Sequence, residues 1–136
     1  MEIVIDTSAF VAIYRGEKEF ALCELAIARA SRIYVPACCR LEAALLRRPG
    51  ADFFEWFSLF TSLPVYQGAE LTGRVMEIAI ASARSYGKGS GHPAQLNFGD
   101  CLVYAVAKER DLPLLFVGTD FGRTDLTPVI PDGTTG

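Results

Sequence analysis

Ile3-Val4-Ile5 is a short, uninterrupted run of β-branched residues that ends abruptly at Asp6-Thr7-Ser8. A strand this short, apolar without alternation, is buried on both faces, which is the condition of a strand in a parallel sheet. The polar triplet after it predicts a turn and a helix start. The same signature returns at Ile33-Tyr34-Val35 and at Leu114 to Val117, with helical patterns between. Strands alternating with helices define an α/β domain with a mainly parallel sheet. With 136 residues the chain has the length of one domain. Ligands of such folds bind at the carboxyl ends of the strands, so the residues that follow each strand carry the functional information.

The remaining elements follow from periodicity and punctuation. Phe10 to Tyr14 predicts a short helix stopped by Gly16, and Glu17 to Ala30 a second helix. Pro36 opens a helix to about Arg48, which Pro49-Gly50 stops. Ala51 to Thr61 predicts a helix with only a narrow polar strip beside Phe53, Phe54, Trp56, Phe57, Leu59 and Phe60. Leu63 to Tyr66 is the expected third strand, and Ala69 to Tyr86 a helix with Leu71, Val75, Ile78, Ser82 and Tyr86 on one face. Gly87 to Gln95 is a loop, after which Asn97 caps a helix to about Arg110. Thr119 to Leu126 is a turn or short helix, Pro128 to Ile130 an edge strand, and residues 131–136 a flexible tail beyond a domain of residues 1–130.

Several classes are excluded early. Hydrophobic residues make up 51% and charged residues 21%, which rules out intrinsic disorder. No apolar run approaches the roughly 18 residues of a membrane span. The start, Met1-Glu2-Ile3-Val4-Ile5-Asp6, lacks the basic region of a signal peptide, so a cytoplasmic chain is expected. Cys23, Cys38, Cys39 and Cys101 form neither a CxxC pair nor a zinc spacing and are expected as reduced, small hydrophobes. The net charge of -3 gives no global basic signal for nucleic acid. Gly87-Lys88-Gly89 lacks the preceding strand of a P-loop. The lone histidine, His92, is expected as a loop residue or substrate contact.

The positions of four acids are the informative feature. Asp6 directly follows the first strand and Asp120 the strand Leu114 to Val117. Glu42 has Cys38, Cys39, Leu45 and Leu46 as helical neighbours, so it lies on an apolar stripe where an unpaired carboxylate is costly. Asp100 introduces the most apolar helix of the chain. Each acid also has a purely structural reading: a helix cap for Asp6, an edge position for Glu42, a capping box for Asp100 and an Asx turn for Asp120. A single alternative replaces all four, in which the acids meet in one cleft. Mutual repulsion would raise their pKa values, and a hard divalent cation, Mg²⁺ or Mn²⁺, would relieve it through oxygen ligands. Such an ion polarises phosphate and acidifies water.

The strings Ile5-Asp6-Thr7-Ser8-Ala9, Leu41-Glu42-Ala43, Tyr86-Gly87-Lys88-Gly89 and His92-Pro93-Ala94 belong together with three others. These are Leu96-Asn97-Phe98-Gly99-Asp100-Cys101, Gly118-Thr119-Asp120-Phe121 and Arg123-Thr124-Asp125. With them the chain, from Met1 to about Val129, resembles PIN-domain proteins and, more narrowly, the VapC toxins of type II toxin-antitoxin systems. The resemblance implies an α/β/α sandwich and an endoribonuclease dependent on Mg²⁺ or Mn²⁺. It implies Asp6 and Asp100 as metal ligands, with Glu42 and Asp120 completing the catalytic acids. Thr7, Ser8, Asn97 and Thr119 would support them by hydrogen bonds, and Asp125 would act from behind. It further implies a homodimer and a VapB-like antitoxin that places an arginine near the acids.

Two surfaces bear on partners. The basic face Arg74, Arg84 and Lys88 leads toward Asp100 and is either a phosphate guide or a solvated helix face, with Arg84, Lys88 and His92 as candidate substrate contacts. The aromatic helix has an apolar face wider than one side of a small sheet covers, which means extra core burial or a partner surface. On the partner reading, Phe57→Asp weakens association and spares the fold. The readings that compete with the ribonuclease are a non-catalytic PIN-type binding module and a metal-dependent nuclease acting on DNA.

Overall fold

The computed structural model describes residues 1–130; the expected flexible tail, 131–136, lies outside the described residues. Four parallel strands run in the order β3-β2-β1-β4: β1 Glu2–Ile5, β2 Arg32–Pro36, β3 Tyr66–Ala69 and β4 Leu114–Leu115. Six helices accompany them among the described residues: α1 Thr7–Arg15, α2 Phe20–Arg29, α3 Ala37–Leu45, α4 Phe53–Phe60, α5 Gly73–Tyr86 and α6 Phe98–Arg110. Ile3, Val4 and Ile5 are all buried, so helices cover both faces of β1, which makes the expected α/β/α sandwich. The order of connections reverses at β1, which has β2 on one side and β4 on the other. That reversal opens a crevice at the carboxyl ends of β1 and β4, where α/β folds place their ligands.

Several boundaries differ from the sequence expectation for local reasons. The third strand begins at Tyr66 instead of ending there. As an edge strand it exposes Gln67 and Gly68, so it lacks an apolar signature. Thr61 and Ser62 instead close α4, their hydroxyls donating to the carbonyls of Phe57 (2.7 Å) and Leu59 (2.6 Å). The helix after Pro36 stops at Leu45, where Arg47 Nη1 donates to the carbonyls of Ala44 and Leu45. The helix expected from Ala69 starts at Gly73, because Thr72 Oγ1 accepts from Val75 N–H and caps it. The last strand shrinks to two residues, and the expected edge strand to one bridge between Leu114 and Pro128.

The aromatic helix α4 is core. Phe10 sits among Phe57, Phe60, Trp56 and Tyr66, with its centroid 4.9 Å from that of Phe57. Phe57 is 1% exposed, whereas Leu59 is 73% exposed. This corrects the expectation that Phe57→Asp spares the fold: the wide apolar face of α4 is spent on an aromatic cluster with α1. Cys23, Cys39 and Cys101 are buried, Cys38 is partly buried, and all four thiols are free.

Candidate active site

Asp6 ends β1 and caps α1 in one residue. Its backbone is extended, its Oδ2 accepts from Ser8 N–H at 3.0 Å, and its own N–H donates to the Leu115 carbonyl of β4. Ser8 Oγ accepts from Val117 N–H at 3.0 Å, which ties the first turn of α1 to the segment after β4 across the crevice. Asp100 forms a capping box with Asn97. Asn97 Oδ1 accepts from Asp100 N–H (2.9 Å), and Asp100 Oδ2 accepts from Asn97 N–H (3.1 Å). Both caps occupy one carboxylate oxygen, Oδ2, and neither needs the second. The capping role and the cleft role therefore coexist in both residues.

Glu42 reaches the same place from the middle of α3. Its Oε2 lies over the backbone of Gly99, where a Cβ would stand 3.3 Å away. A side chain at Gly99 would crowd this carboxylate and oblige it to shift by a few tenths of an ångström. Asp6, Glu42 and Asp100 line one hollow of about 450 Å³, with Thr7 and Ser8 beside them. Burial pushes the Asp6 carboxyl up to about 6, against the two bonds from Ser8, and the charges of Glu42 and Asp100 add to the rise. Asp100 is raised as well, chiefly by burial and then by Asp120 and Glu42, while Lys88 opposes the rise. These carboxylates are held near one another without enough positive charge to balance them.

The donor set suits a hard cation. It offers carboxylate oxygens, and Thr7 Oγ1 is buried beside them without a hydrogen-bond partner. Among the described residues no three His, Cys, Asp or Glu side chains form a finished cage. A Mg²⁺-like ion does not require one, because it keeps several waters and binds through one or two carboxylates together with substrate phosphate. Asp6, Glu42 and Asp100 are the carboxylates of the hollow that could hold it.

The other sequence candidates fall in different places. Asp120 is exposed, precedes a 3-10 turn at Phe121–Arg123, and stands outside the lining of the hollow, although its charge acts on Asp100. Thr119 beside it is exposed and outside the lining too. Asp125 is a correction. Its carboxylate accepts from Tyr104 Oη at 2.6 Å and pairs with Lys108 Nζ at 2.9 Å, fastening the C-terminal loop to α6 instead of supporting the acids. Tyr104 and Lys108 hold that carboxyl below the usual range although burial opposes them. His92 braces its own loop: Nδ1 accepts from Ala94 N–H at 3.0 Å, and the ring packs edge-on against Tyr86. Arg84 and Lys88 are exposed at the end of α5, and only Lys88 is felt by Asp100. The hollow also has two walls that sequence reasoning missed, Glu17 and Arg48. Glu17 follows the stop at Gly16, and Arg48 lies three residues beyond the end of α3 at Leu45, where the sequence still predicts helix.

A parallel α/β sandwich with carboxylates gathered where its strand order reverses is the arrangement of a doubly wound domain with an acidic ligand site at its strand ends. The chain matches the PIN domain family over residues 3–126. Ribonuclease VapC28 of Mycobacterium tuberculosis is 37% identical over 124 residues, 90% of this chain and 93% of the relative. Two solved structures share the fold. The crystal structure of Mycobacterium tuberculosis VapC20, a Sarcin-Ricin loop cleaving toxin, has a TM-score of 0.76 and 18% identity, covering 95% of this chain and 99% of that one. A toxin-antitoxin complex from Klebsiella pneumoniae has a TM-score of 0.68 and 14% identity, covering 95% and 98%. The chain belongs to the PIN domain family, among the VapC ribonucleases of toxin-antitoxin systems.

Proposed function

We propose that this chain is a cytoplasmic endoribonuclease dependent on Mg²⁺ or Mn²⁺, active as a homodimer and silenced by a VapB-like antitoxin. The observation that carries the reading is the convergence of Asp6, Glu42 and Asp100 on one hollow, with Asp6 buried and its charge uncompensated. When bound, the cation supplies Lewis-acid stabilisation of a phosphoryl oxygen and a water acidic enough to attack near neutral pH.

The chain's own residues do the rest. Asp6 and Asp100 anchor the cation through the oxygens their caps leave over. Because two helix caps fix these carboxylates, little reorganisation is needed on binding. Glu42, standing over the first turn of α6, would orient the water that attacks phosphorus and accept its proton, while the P–O bond to the departing ribose oxygen breaks and that oxygen takes a proton from solvent. Asp120 adds negative charge at the rim. Ser8 and Asn97 hold the two caps in register, and Lys88 draws in the RNA backbone from outside.

The homodimer reading rests on an apolar groove of about 400 Å³ between α5 and the start of α6. There Met76 and Ile80 are exposed and Phe98 is 81% exposed. Apolar surface of this kind beside a site marks an association face. The antitoxin reading is supported by the structural neighbour that is itself a toxin-antitoxin complex.

The test is digestion of total RNA and of single-stranded DNA by the purified chain in Mg²⁺, in EDTA, and as Asp100→Asn. Cleavage of RNA that needs the cation and Asp100 is expected. Asparagine still accepts from Asn97 N–H, so the variant keeps its cap and its fold. Cleavage persisting in EDTA would exclude the mechanism, and cutting of DNA alone would exclude the substrate.

A further inference from the structure

The acidic hollow is longer than its catalytic end. It runs beside α1 from Asp6, Thr7 and Ser8, past Val11 one turn on, to Glu17 beyond the helix. α1 has nine residues, so at 1.5 Å per residue the far end lies roughly 12 Å from the acids. At that end stands Arg48, the one basic residue in the lining among the described residues.

Two helix stops fix this far end. Gly16 adopts the left-handed conformation (φ 63°), and the N–H of Gly16 and Glu17 return to the carbonyls of Ile13 and Ala12. This closure turns Glu17 back along the helix. On the facing side α3 ends, and two successive arginines divide the work. Arg47 donates to the last carbonyls of α3, whereas Arg48 enters the hollow and its Nη2 lies 3.3 Å from Glu17 Oε2. Glu17 Oε2 also lies 3.9 Å from Arg15 Nε. Glu17 is therefore a tether shared by two guanidinium groups.

A structural role alone accounts poorly for Arg48. Its side chain is 70% exposed, and an exposed ion pair contributes little to stability. Arg48 lines the hollow and only its Nη2 is engaged, by Glu17, so its other N–H groups are left to take a ligand. A guanidinium presents a planar fork that matches phosphate. We propose that Arg48 binds a backbone phosphate of the RNA flanking the scissile linkage, and that Glu17 is the positioning residue that holds it there. The hollow then takes a polyanion at two points: the cation site at Asp6 and Asp100, and a fixed guanidinium about one helix length away. The inference rests on the ribonuclease reading of the same hollow.

The experiment measures binding of a fluorescein-labelled, mixed-sequence 20-nucleotide RNA to the Asp100→Asn protein in Mg²⁺, by anisotropy across a salt series. Cleavage of total RNA by the otherwise unaltered chain is assayed in parallel. Arg48→Gln is expected to weaken binding about tenfold and to flatten the plot of log affinity against log salt by about 0.7, the loss of one phosphate contact on a single strand. Arg48→Lys keeps the charge and therefore the salt slope. Glu17→Gln gives the sharper answer. Removing a carboxylate from the path of a polyanion tightens binding by simple electrostatics, whereas loss of the tether weakens it. Weaker binding is expected, with no further loss when Glu17→Gln is added to Arg48→Gln. An unchanged salt slope in Arg48→Gln, or tighter binding in Glu17→Gln, overturns the inference. If RNA is cut normally in Mg²⁺ when that happens, the nuclease reading stands without it. If the unaltered chain cuts no RNA, the nuclease reading falls and takes the inference with it.

Discussion

Replacing Asp6 with asparagine is expected to destroy the activity and to stabilise the cation-free protein. The native carboxyl titrates near 6, whereas an unperturbed aspartate titrates near 3.8. Between these pH values the native state holds a proton that the unfolded chain has released, so stability falls as pH rises through that window. Above pH 6 the full penalty applies, about 3 kcal/mol. On the proposed reading, this is the cost of keeping a buried carboxylate ready for a cation. Asparagine removes the charge and still accepts from Ser8 N–H as the N-cap of α1, so the cap is retained. For a chain of this length about 3 kcal/mol corresponds to a rise in Tm of roughly 10 °C. The assay is thermal unfolding by circular dichroism in EDTA from pH 4 to 8, with a Mg²⁺ series at pH 7.5. The unaltered protein is expected to lose stability as pH rises from 4 through 6, and to recover it as Mg²⁺ is added. Asp6→Asn should lose most of that pH dependence, keeping the part that the raised Asp100 carboxyl contributes, and should gain less from Mg²⁺ than the unaltered protein. Equal Tm values for the two proteins in EDTA at pH 7.5, or an equal gain from Mg²⁺, would refute the reasoning.

Two further outcomes separate core from surface and site from scaffold. Phe57→Asp removes a side chain that is 1% exposed and buries a charge, so a loss of at least 3 kcal/mol and an unfolded or molten chain is expected by circular dichroism, whereas Leu59→Asp, on the open side of α4, leaves the melting curve within about 0.5 kcal/mol. Asp125→Ala releases Tyr104 Oη and Lys108 and is expected to cost about 1 kcal/mol in urea unfolding while RNA cleavage in Mg²⁺ continues at the original rate; a collapse of cleavage in a folded Asp125→Ala protein would return that residue to the site.

How much was legible in the sequence depended on the range of the forces involved. Local chemistry is written locally. The β-branched run Ile3 to Ile5 announced a strand covered on both faces and Asn97 a helix cap, and both appear; the capping box with Asp100, read as the alternative to a cleft position, is present as well. The apolar neighbours of Glu42 marked it out, but the stripe is buried only in part: Leu45 is 64% exposed and Glu42 is partly buried, at an edge that puts its carboxylate against Gly99. The edge strand β3 was displaced in the reading because an edge has solvent on one side and tolerates Gln67 and Gly68, leaving no apolar pattern to follow.

What the chain settles by itself is therefore its set of elements, their caps, and the acids that end them, since each depends on residues within a turn or two. What only tertiary packing decided is which of these groups meet. Asp125 stands close to Asp120 in sequence, yet the loop hands it to Tyr104 and Lys108. Glu17 and Arg48 are 31 residues apart and share one wall of the hollow. Phe57 was placed in the core because Phe10 of α1 supplied a partner that α4 alone does not specify. Capping is a bond to the next few N–H groups, whereas the convergence of charges depends on how helices cross a sheet, and no short stretch of sequence encodes that geometry.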